Sequence, residues 1–231
     1  MASGSTILKT ENITRRLDNE AIPVTLVKDI SLEINKGEFV AIMGPSGSGK
    51  SSLLYLLGLL DKATAGKISL DGVDVSGHDE NDMAHLRLEK LGFVFQFHYL
   101  LPEFTAQENV MIPMQRLKKL SDKEIHRRAD ELLADLGLAE HAHKLPSQMS
   151  GGQRQRTAIA RALANDPVVI LADEPTGNLD TNSTQTVGRI LKELTQKRGK
   201  TVIVVTHDTH FASTADRIIT LVDGQLKPWT P

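Results

Sequence analysis

The residues from Gly44 to Ser51 are the stretch of this chain best suited to chemistry. Their sequence, Gly-Pro-Ser-Gly-Ser-Gly-Lys-Ser, fits the phosphate-binding P-loop pattern G-x-x-x-x-G-K-[ST]. The glycines let backbone N–H groups approach phosphate oxygens, and the start of the following helix adds partial positive charge. Lys50 is predicted to reach the terminal phosphates, and the Ser51 hydroxyl to bind Mg²⁺. The full predicted phosphate-binding set is Gly44, Pro45, Ser46, Gly47, Ser48, Gly49, Lys50, Ser51 and Ser52.

The flanks of this stretch support the interpretation. Residues 38–43 form a short apolar run that predicts a buried strand, and residues 52–57 lack glycine and proline and predict a helix. A strand, a glycine-rich turn and a helix are the context in which the pattern binds phosphate. The alternative is a simple Gly/Ser loop before a buried helix, and the lysine–serine pair disfavours it.

Two acidic residues follow a second apolar strand, which is predicted over residues 168–172. Asp173 is placed to hold Mg²⁺, directly or through water. Glu174 could orient and deprotonate an attacking water molecule. The alternative is a strand-terminal turn with two solvated acids.

A second helix start with anion-binding character is predicted at Ser150. Ser150 is a favourable N-cap, and Gly151 and Gly152 would let a ligand approach the backbone. The helix itself is predicted from Gln153 to Ala164. The alternative is a simple cap, but two phosphate-type helix starts in one chain suggest a composite site.

Hydrophobic periodicity predicts an α/β fold with a P-loop core, a mostly parallel sheet, an N-terminal antiparallel β portion and an inserted α-helical subdomain. Residues 1–96 would form the first part of the core, residues 97–164 the helical subdomain with the Ser150 segment, and residues 165–231 the second part. Within the first part, strands are predicted at Ile7–Ile13 and Leu26–Ile34, with a polar loop from Arg15 to Pro23 between them. Ala65 and Gly66 are predicted to end an element.

Composition narrows the partners. The chain has 231 residues, a formal net charge of -2 and no cysteine, so disulfides and thiolate metal sites are excluded. No large basic field is present, and nucleic acid is not expected as a partner. No apolar run reaches the roughly 18–20 residues of a membrane span. We expect a cytoplasmic location for the protein. Separately, residues 1–5 have the composition of an expression remnant.

Taken together, the motifs resemble the nucleotide-binding subunit of ABC (ATP-binding cassette) transporters, over essentially the whole chain. Residues 150–153 are similar to the signature motif, which in that family meets ATP held by the P-loop of a second, head-to-tail copy. By resemblance, Gln96 is the Q-loop glutamine that senses Mg²⁺ and water, Asp180 belongs to the D-loop at the dimer seam, and His207 is the switch histidine near the γ-phosphate.

The resemblance assigns three sets of residues. The catalytic set is Glu174, His207 and Lys50. The Mg²⁺ set is Ser51, Gln96 and Asp173. The ATP-binding set joins the P-loop residues to Gln96, Ser150, Gly151, Gly152, Gln153 and Asp180. The family often stacks adenine on an upstream aromatic residue, but no aromatic residue precedes Phe39 here, so Leu17 or a neighbour in the 15–23 loop is predicted to contact the base.

Residues 95–110 and 173–180 are most similar to the branch with lipoprotein-releasing and macrolide-exporter-type ATPases. That branch implies a separate transmembrane permease that docks near Gln96–Phe104, a location on the cytoplasmic face of the plasma (inner) membrane, and release or extrusion of lipoprotein or a hydrophobic, peptide-like substrate. For the apolar segment from Phe97 to Phe104, the alternative is a local core under the helical insert.

Other functions share these motifs. A non-transport ABC ATPase that transmits force or signal through a membrane partner, as cell-division relatives do, remains the main alternative. A DNA-repair or chromosome-structuring head would carry long heptad coiled coils, which the short insert does not contain. His141 and His143 are spaced two apart and would not share a helix face, so no metal site is predicted there.

Overall fold

Two β-sheets and seven α-helices make up the computed structural model, which describes residues 5–18 and 23–228. The strands are β1 Thr6–Leu17, β2 Val24–Asn35, β3 Phe39–Met43, β4 Ala65–Leu70, β5 Val73–Asp74, β6 Leu91–Phe95, β7 Val169–Asp173, β8 Thr201–Val205, β9 Arg217–Val222 and β10 Gln225–Lys227. The helices are α1 Lys50–Leu57, α2 Glu80–Lys90, α3 Ala106–Leu117, α4 Asp122–Asp135, α5 Gly151–Leu163, α6 Thr181–Arg198 and α7 Thr209–Ala212.

The larger sheet has the strand order β10-β9-β3-β8-β7-β6, and all neighbours from β9 to β6 are parallel. It separates two hydrophobic cores. In β8, Val202 and Val204 belong to the core on the side of the helical region, while Ile203 and Val205 belong to the core under the smaller sheet. Because both faces are covered, these strands are apolar at nearly every position rather than alternating.

One row of paired residues crosses the parallel strands. Phe95 of β6 pairs with Asp173 of β7, which pairs with Val205 of β8, which pairs with Ile42 of β3. The chain leaves all four strands just beyond this row. The segments that follow β3, β6, β7 and β8 therefore emerge at the same edge of the sheet, where open α/β sheets bind ligands.

The smaller sheet is antiparallel, in the order β2-β1-β4-β5. The fold class is confirmed, but two local predictions were wrong. The predicted loop at Arg15 is strand as far as Leu17, which pairs with Val24; the predicted loop residues 19–22 and the predicted expression remnant at residues 1–4 lie outside the described residues. Ala65 begins β4 instead of ending an element, because β1 supplies a pairing partner at Thr14.

Between β6 and β7 the described elements are helical. Helix α3 continues through Pro113, and α4 follows Ser121, whose backbone N–H donates a hydrogen bond of 2.8 Å to the Glu124 carboxylate. Helix α5 begins at Gly151, two residues earlier than predicted, because Ser150 caps it directly. Throughout residues 5–18 and 23–228, none of the helices combines the length and the apolar character that crossing a bilayer requires.

Helix α5 lies close against β6 at Gly92. A Cβ atom at this position would overlap the carbonyl oxygen of Ala162 and lie 3.1 Å from a ring carbon of Pro167. The backbone of Gly92 has no left-handed conformation, so the requirement for glycine is one of space alone. Close approach of β6 and α5 therefore fixes the position of α5 relative to the row of paired residues.

We expect Gly92→Ala to lower the free energy of unfolding by about 1–3 kcal/mol, because a backbone carbonyl cannot move aside as a side chain can. Gly77→Ala is the matched control, since nothing lies within 4 Å of its added Cβ. The control should stay within about 0.5 kcal/mol of the parent chain in denaturant unfolding. Equal stability of the two variants would contradict this account of the packing.

Candidate active site

The loop between β3 and α1 is held between two other strands. A Cβ atom on Gly44 would overlap the carbonyl oxygen of Leu221 in β9, and one on Gly49 would overlap that of Leu26 in β2. Both glycines also have positive φ values, 153° and 93°. Only glycine can adopt these φ values and also fit where there is no room for a Cβ atom. The backbone conformation of the predicted P-loop is therefore fixed by its contacts with β9 and β2.

Lys50 lies across this loop. Its ammonium group donates hydrogen bonds to the carbonyl oxygens of Gly44, at 2.9 Å, and Pro45, at 2.8 Å. The Oγ atom of Ser48 is buried without a hydrogen-bond partner, and Gly49, the residue before α1, provides no side-chain cap. A buried unpaired hydroxyl and an uncapped helix start are groups that a phosphate would satisfy, so the loop fits the predicted ligand. Ser52 is half-buried in the first turn of α1.

Ser51 and Asp173 come together at the sheet edge. The Ser51 hydroxyl donates a hydrogen bond of 3.1 Å to Oδ1 of Asp173. Burial raises the pKa of the Asp173 carboxyl above its ordinary value, against the opposing effect of the Ser51 hydroxyl. A desolvated carboxylate beside a hydroxyl supplies the hard oxygen ligands that Mg²⁺ prefers, so these two residues fit the predicted ion.

Glu174 has an unusual backbone for a residue with a side chain. Its φ is +46°, and its N–H donates to the carbonyl oxygen of Val205 at 2.9 Å. One oxygen of its carboxylate lies 3.0 Å from Nδ1 of His207, although the two groups are not aligned as a hydrogen bond. The Glu174 side chain is 20% exposed and that of His207 is 74% exposed. The acid is therefore sheltered while the imidazole reaches toward solvent.

Gln96 is half-buried just beyond the Phe95 position of the row. Its side-chain amide lies against Gly177, where a Cβ atom would come within 2.7 Å of Nε2. The Gln96 amide thus contacts the loop that carries Glu174. The structure brings together at one edge the residues from four loops that the sequence pattern selected.

Ser150 and Asp180 belong to a second surface. Oγ of Ser150 accepts a hydrogen bond from the N–H of Gln153, and Oε1 of Gln153 accepts one from the N–H of Ser150. Asp180 caps α6 through Ser183, whose hydroxyl leaves no room for a Cβ atom on Gly152. The predicted signature and D-loop residues therefore form one packed unit. Leu17, predicted to contact a base, is half-buried at the end of β1.

Sequence reasoning did not single out Gln155, Asn109 and Arg161. Gln155 and Asn109 are completely buried. Gln155 and Arg161 bind backbone carbonyl groups of segments far along the chain, those of Pro175 and His98, whereas Asn109 binds that of Phe104 in the loop before α3. The available signal was a polar residue on an apolar helix face, since Gln155 lies one turn before the buried Ile159.

The chain is similar to known proteins over the residues that form this site. A family profile described as "ABC transporter" matches residues 27–177 of this chain. The chain belongs to the ABC transporter family. The matched range begins in β2 and ends at Gly177, so it contains the P-loop, Gln96, the Ser150 segment and Glu174.

Individual relatives of this family match along nearly the whole chain. The lipoprotein-releasing system ATP-binding protein LolD 1 of Chlorobium chlorochromatii is 52% identical over 223 residues, which cover 96% of this chain and 91% of that protein. The LolD protein of Bacteroides thetaiotaomicron is 47% identical over 221 residues, with 96% and 99% covered. The ATP-binding cassette MJ0796, solved as a dimer in a post-hydrolysis state with ADP and Pi, is similar with a TM-score of 0.89 and 43% identity over 96% of this chain and 97% of that one.

The raised pKa of Asp173 predicts that this carboxylate destabilises the free protein. The folded state binds the proton more tightly than the unfolded state does, so stability from this group is lost as the pH rises through its folded pKa. We expect Asp173→Asn to melt at a higher temperature than the parent chain at neutral pH in EDTA without nucleotide.

The difference in melting temperature between Asp173→Asn and the parent chain should narrow as the pH is lowered from about 8 to about 5, toward the ordinary pKa range of an aspartate, because Asp173 then becomes protonated. Melting curves at a series of pH values measure it. If Asp173→Asn melts at or below the temperature of the parent chain at every pH, the ionised Asp173 carboxylate does not destabilise the free protein.

Proposed function

We propose that this chain is the ATP-hydrolysing subunit of a lipoprotein-releasing ABC transporter, and that two copies close over two ATP molecules. The observation that carries the proposal is the convergence of Lys50, Ser51, Asp173, Glu174 and His207 at one edge of the parallel sheet. The LolD relatives support the branch, because their names state both ATP binding and lipoprotein release.

In the proposed reaction, Glu174 accepts a proton from the attacking water as the water oxygen bonds to the γ-phosphorus. The bond from that phosphorus to the bridging oxygen breaks, and ADP and phosphate are formed. Lys50 and His207 stabilise negative charge that develops on the phosphate oxygens. The Glu174 side chain is sheltered, so its carboxylate interacts more strongly with the attacking water than it would in bulk solvent.

Ser51 and Asp173 would hold Mg²⁺, with Gln96 sensing the ion and the water. When bound, this ion supplies a Lewis acid that neutralises charge on the β- and γ-phosphates. Gln96 is well suited to report on the site because its amide already contacts Gly177 in the Glu174 loop.

The second half of each ATP site would come from the other copy. Ser150 is exposed, and its neighbours are in α5 and the loop before α6, whereas the P-loop is bordered by Leu26 and Leu221. A helix start with an exposed Ser150 followed by the half-buried Gly151 is suited to a phosphate that another chain holds. The dimeric ADP-bound state of the MJ0796 cassette supports this arrangement.

The docking loop, residues 97–104, would receive the membrane permease. Phe97 is 65% exposed and Tyr99 is 63% exposed, and Leu101 and Phe104 are also exposed, which favours an interaction surface over a local core. The partner would place this chain on the cytoplasmic face of the inner membrane.

The half-buried Arg161 and the buried Asn109 give the docking loop its shape. Arg161 donates hydrogen bonds of 2.6 Å to the carbonyl oxygens of His98 and Tyr99, which both have positive φ values. Asn109 donates to the carbonyl oxygens of Leu101 and Phe104. The apolar side chains are therefore exposed on a held backbone, which lowers the entropy lost when a partner binds.

We expect Glu174→Gln to bind ATP but to hydrolyse it at least about 100-fold more slowly, because an amide cannot accept the proton. With ATP and Mg²⁺ the variant should accumulate as a dimer, measured by light scattering after size-exclusion chromatography. Glu131→Gln is the control, since it removes only an exposed ion pair with Arg127. Normal turnover by Glu174→Gln would remove this residue from its proposed role.

We expect Phe97→Asp to reduce co-purification with membrane subunits of the lipoprotein-releasing type by at least about tenfold, because a buried charge at the interface is costly. The ATP affinity of the isolated chain should remain within about twofold. Leu120→Asp, at an exposed apolar residue between α3 and α4, is the matched control. Undiminished co-purification of the Phe97 variant would exclude the docking loop as the surface that binds the permease.

A further inference from the structure

Gln155 is a completely buried amide in α5, with no role in the chemistry described above. Its Nε2 atom donates a hydrogen bond of 2.7 Å to the carbonyl oxygen of Pro175 and one of 3.3 Å to that of Phe95. An amide nitrogen carries two hydrogens and a carbonyl oxygen can only accept, so the N–H₂ end must face these two groups. One side chain thus joins the ends of two strands to a helix.

Both carbonyl groups lie next to residues of the active site. Pro175 directly follows Glu174, and Phe95 directly precedes Gln96. The φ of +46° at Glu174 is unfavourable for a residue with a side chain and persists only where the surroundings impose it. Backbone hydrogen bonds to Val205 and from Gly177 hold one side of this residue, and Gln155 holds the other.

The other end of the amide has no partner. Oε1 of Gln155 is buried without a hydrogen bond, a cost that an apolar side chain would avoid. A residue that served only to fill the core would not incur this cost. The N–H₂ group is therefore the part of the side chain that the site requires.

We infer that Gln155 is a positioning residue, which sets the orientation of Glu174 by fixing the backbone at Pro175 and Phe95. The inference rests on the proposed ATPase function and deepens it. Because Gln155 lies on the same helix as Ser150, it also ties the loop of Glu174 to the helix start that meets the other copy. Closure of the two copies would then act on the position of the general base without a direct contact.

The test is Gln155→Met in the full chain, which keeps length and burial but removes both donors. We expect kcat for ATP hydrolysis to fall about 10-fold to 100-fold, since a small displacement of a general base has effects of this size. The KM for ATP should stay within about twofold, because the P-loop is untouched. A merely structural role would lower the melting temperature and the active fraction but not kcat per folded chain.

Asn165→Leu is the matched control. The Asn165 side chain also donates from one amide nitrogen to two carbonyl oxygens, those of Leu88 and Pro113, but neither belongs to the sheet edge with Glu174. Loss of the Asn165 amide should shift the melting temperature about as much as Gln155→Met does, but should leave kcat within about twofold of that of the parent chain.

Gln155→Glu provides a second readout. The ionised carboxylate would face two carbonyl oxygens and donate nothing, whereas the protonated carboxyl could restore one hydrogen bond to Pro175. We expect kcat of this variant, relative to the parent chain at the same pH, to rise as the pH falls from about 8.5 to about 6. This recovery would not occur if the side chain only filled space.

Parent-like kcat in both Gln155 variants, or an equal loss of kcat in Asn165→Leu, would overturn the inference. If this happens while Glu174→Gln stays inactive, the positioning role fails and the proposed function stands. If the parent chain itself does not hydrolyse ATP, the proposed function fails first.

Discussion

The register of the parallel sheet is the constraint on which the rest of the structure depends. The row of Phe95, Asp173, Val205 and Ile42 brings four strand ends to one level, and the segments beyond it carry the groups that the chemistry needs. A slip of one residue in β7 would turn Asp173 toward the opposite face and take it away from Ser51. The apolar cores on both faces make such a slip costly, so the cores hold the site as well as the fold.

Helix α5 links regions that would otherwise be independent. Its capped first turn at Ser150 lies on the surface proposed to meet the second copy, its middle holds the Glu174 loop through Gln155, and its last turn holds the docking loop through Arg161. Because Gly92 lets α5 lie directly against β6, these three regions are all attached to one helix that is packed on the parallel sheet. Nucleotide hydrolysis and a membrane partner can be coupled through such an element without a long chain of contacts.

Features set by local sequence were predictable. The strand, loop and helix around Gly44–Ser51 and the acidic strand β7 each depend on neighbouring residues, and the structure contains these elements as expected. Features set by distant contacts were not. The extension of β1 to Leu17 needs its partner in β2, and the role of Gln155 needs carbonyl groups 20 and 60 positions away. The positive φ of Glu174 likewise leaves no trace in residue type, because glutamate rarely adopts it.

The most direct test of the account is whether ATP brings the P-loop of one copy to the Ser150 helix start of another. The chain has no cysteine, so single cysteines can be introduced at chosen positions. One copy would carry a cysteine at the exposed Ser46, and a second copy with a different tag would carry one at the exposed Gln148. Both copies would also carry Glu174→Gln. A short bifunctional thiol reagent should join position 46 to position 148 across the two copies with ATP and Mg²⁺, and not without nucleotide. Absence of this product under ATP, or a product that forms equally well without ATP, would contradict the shared site.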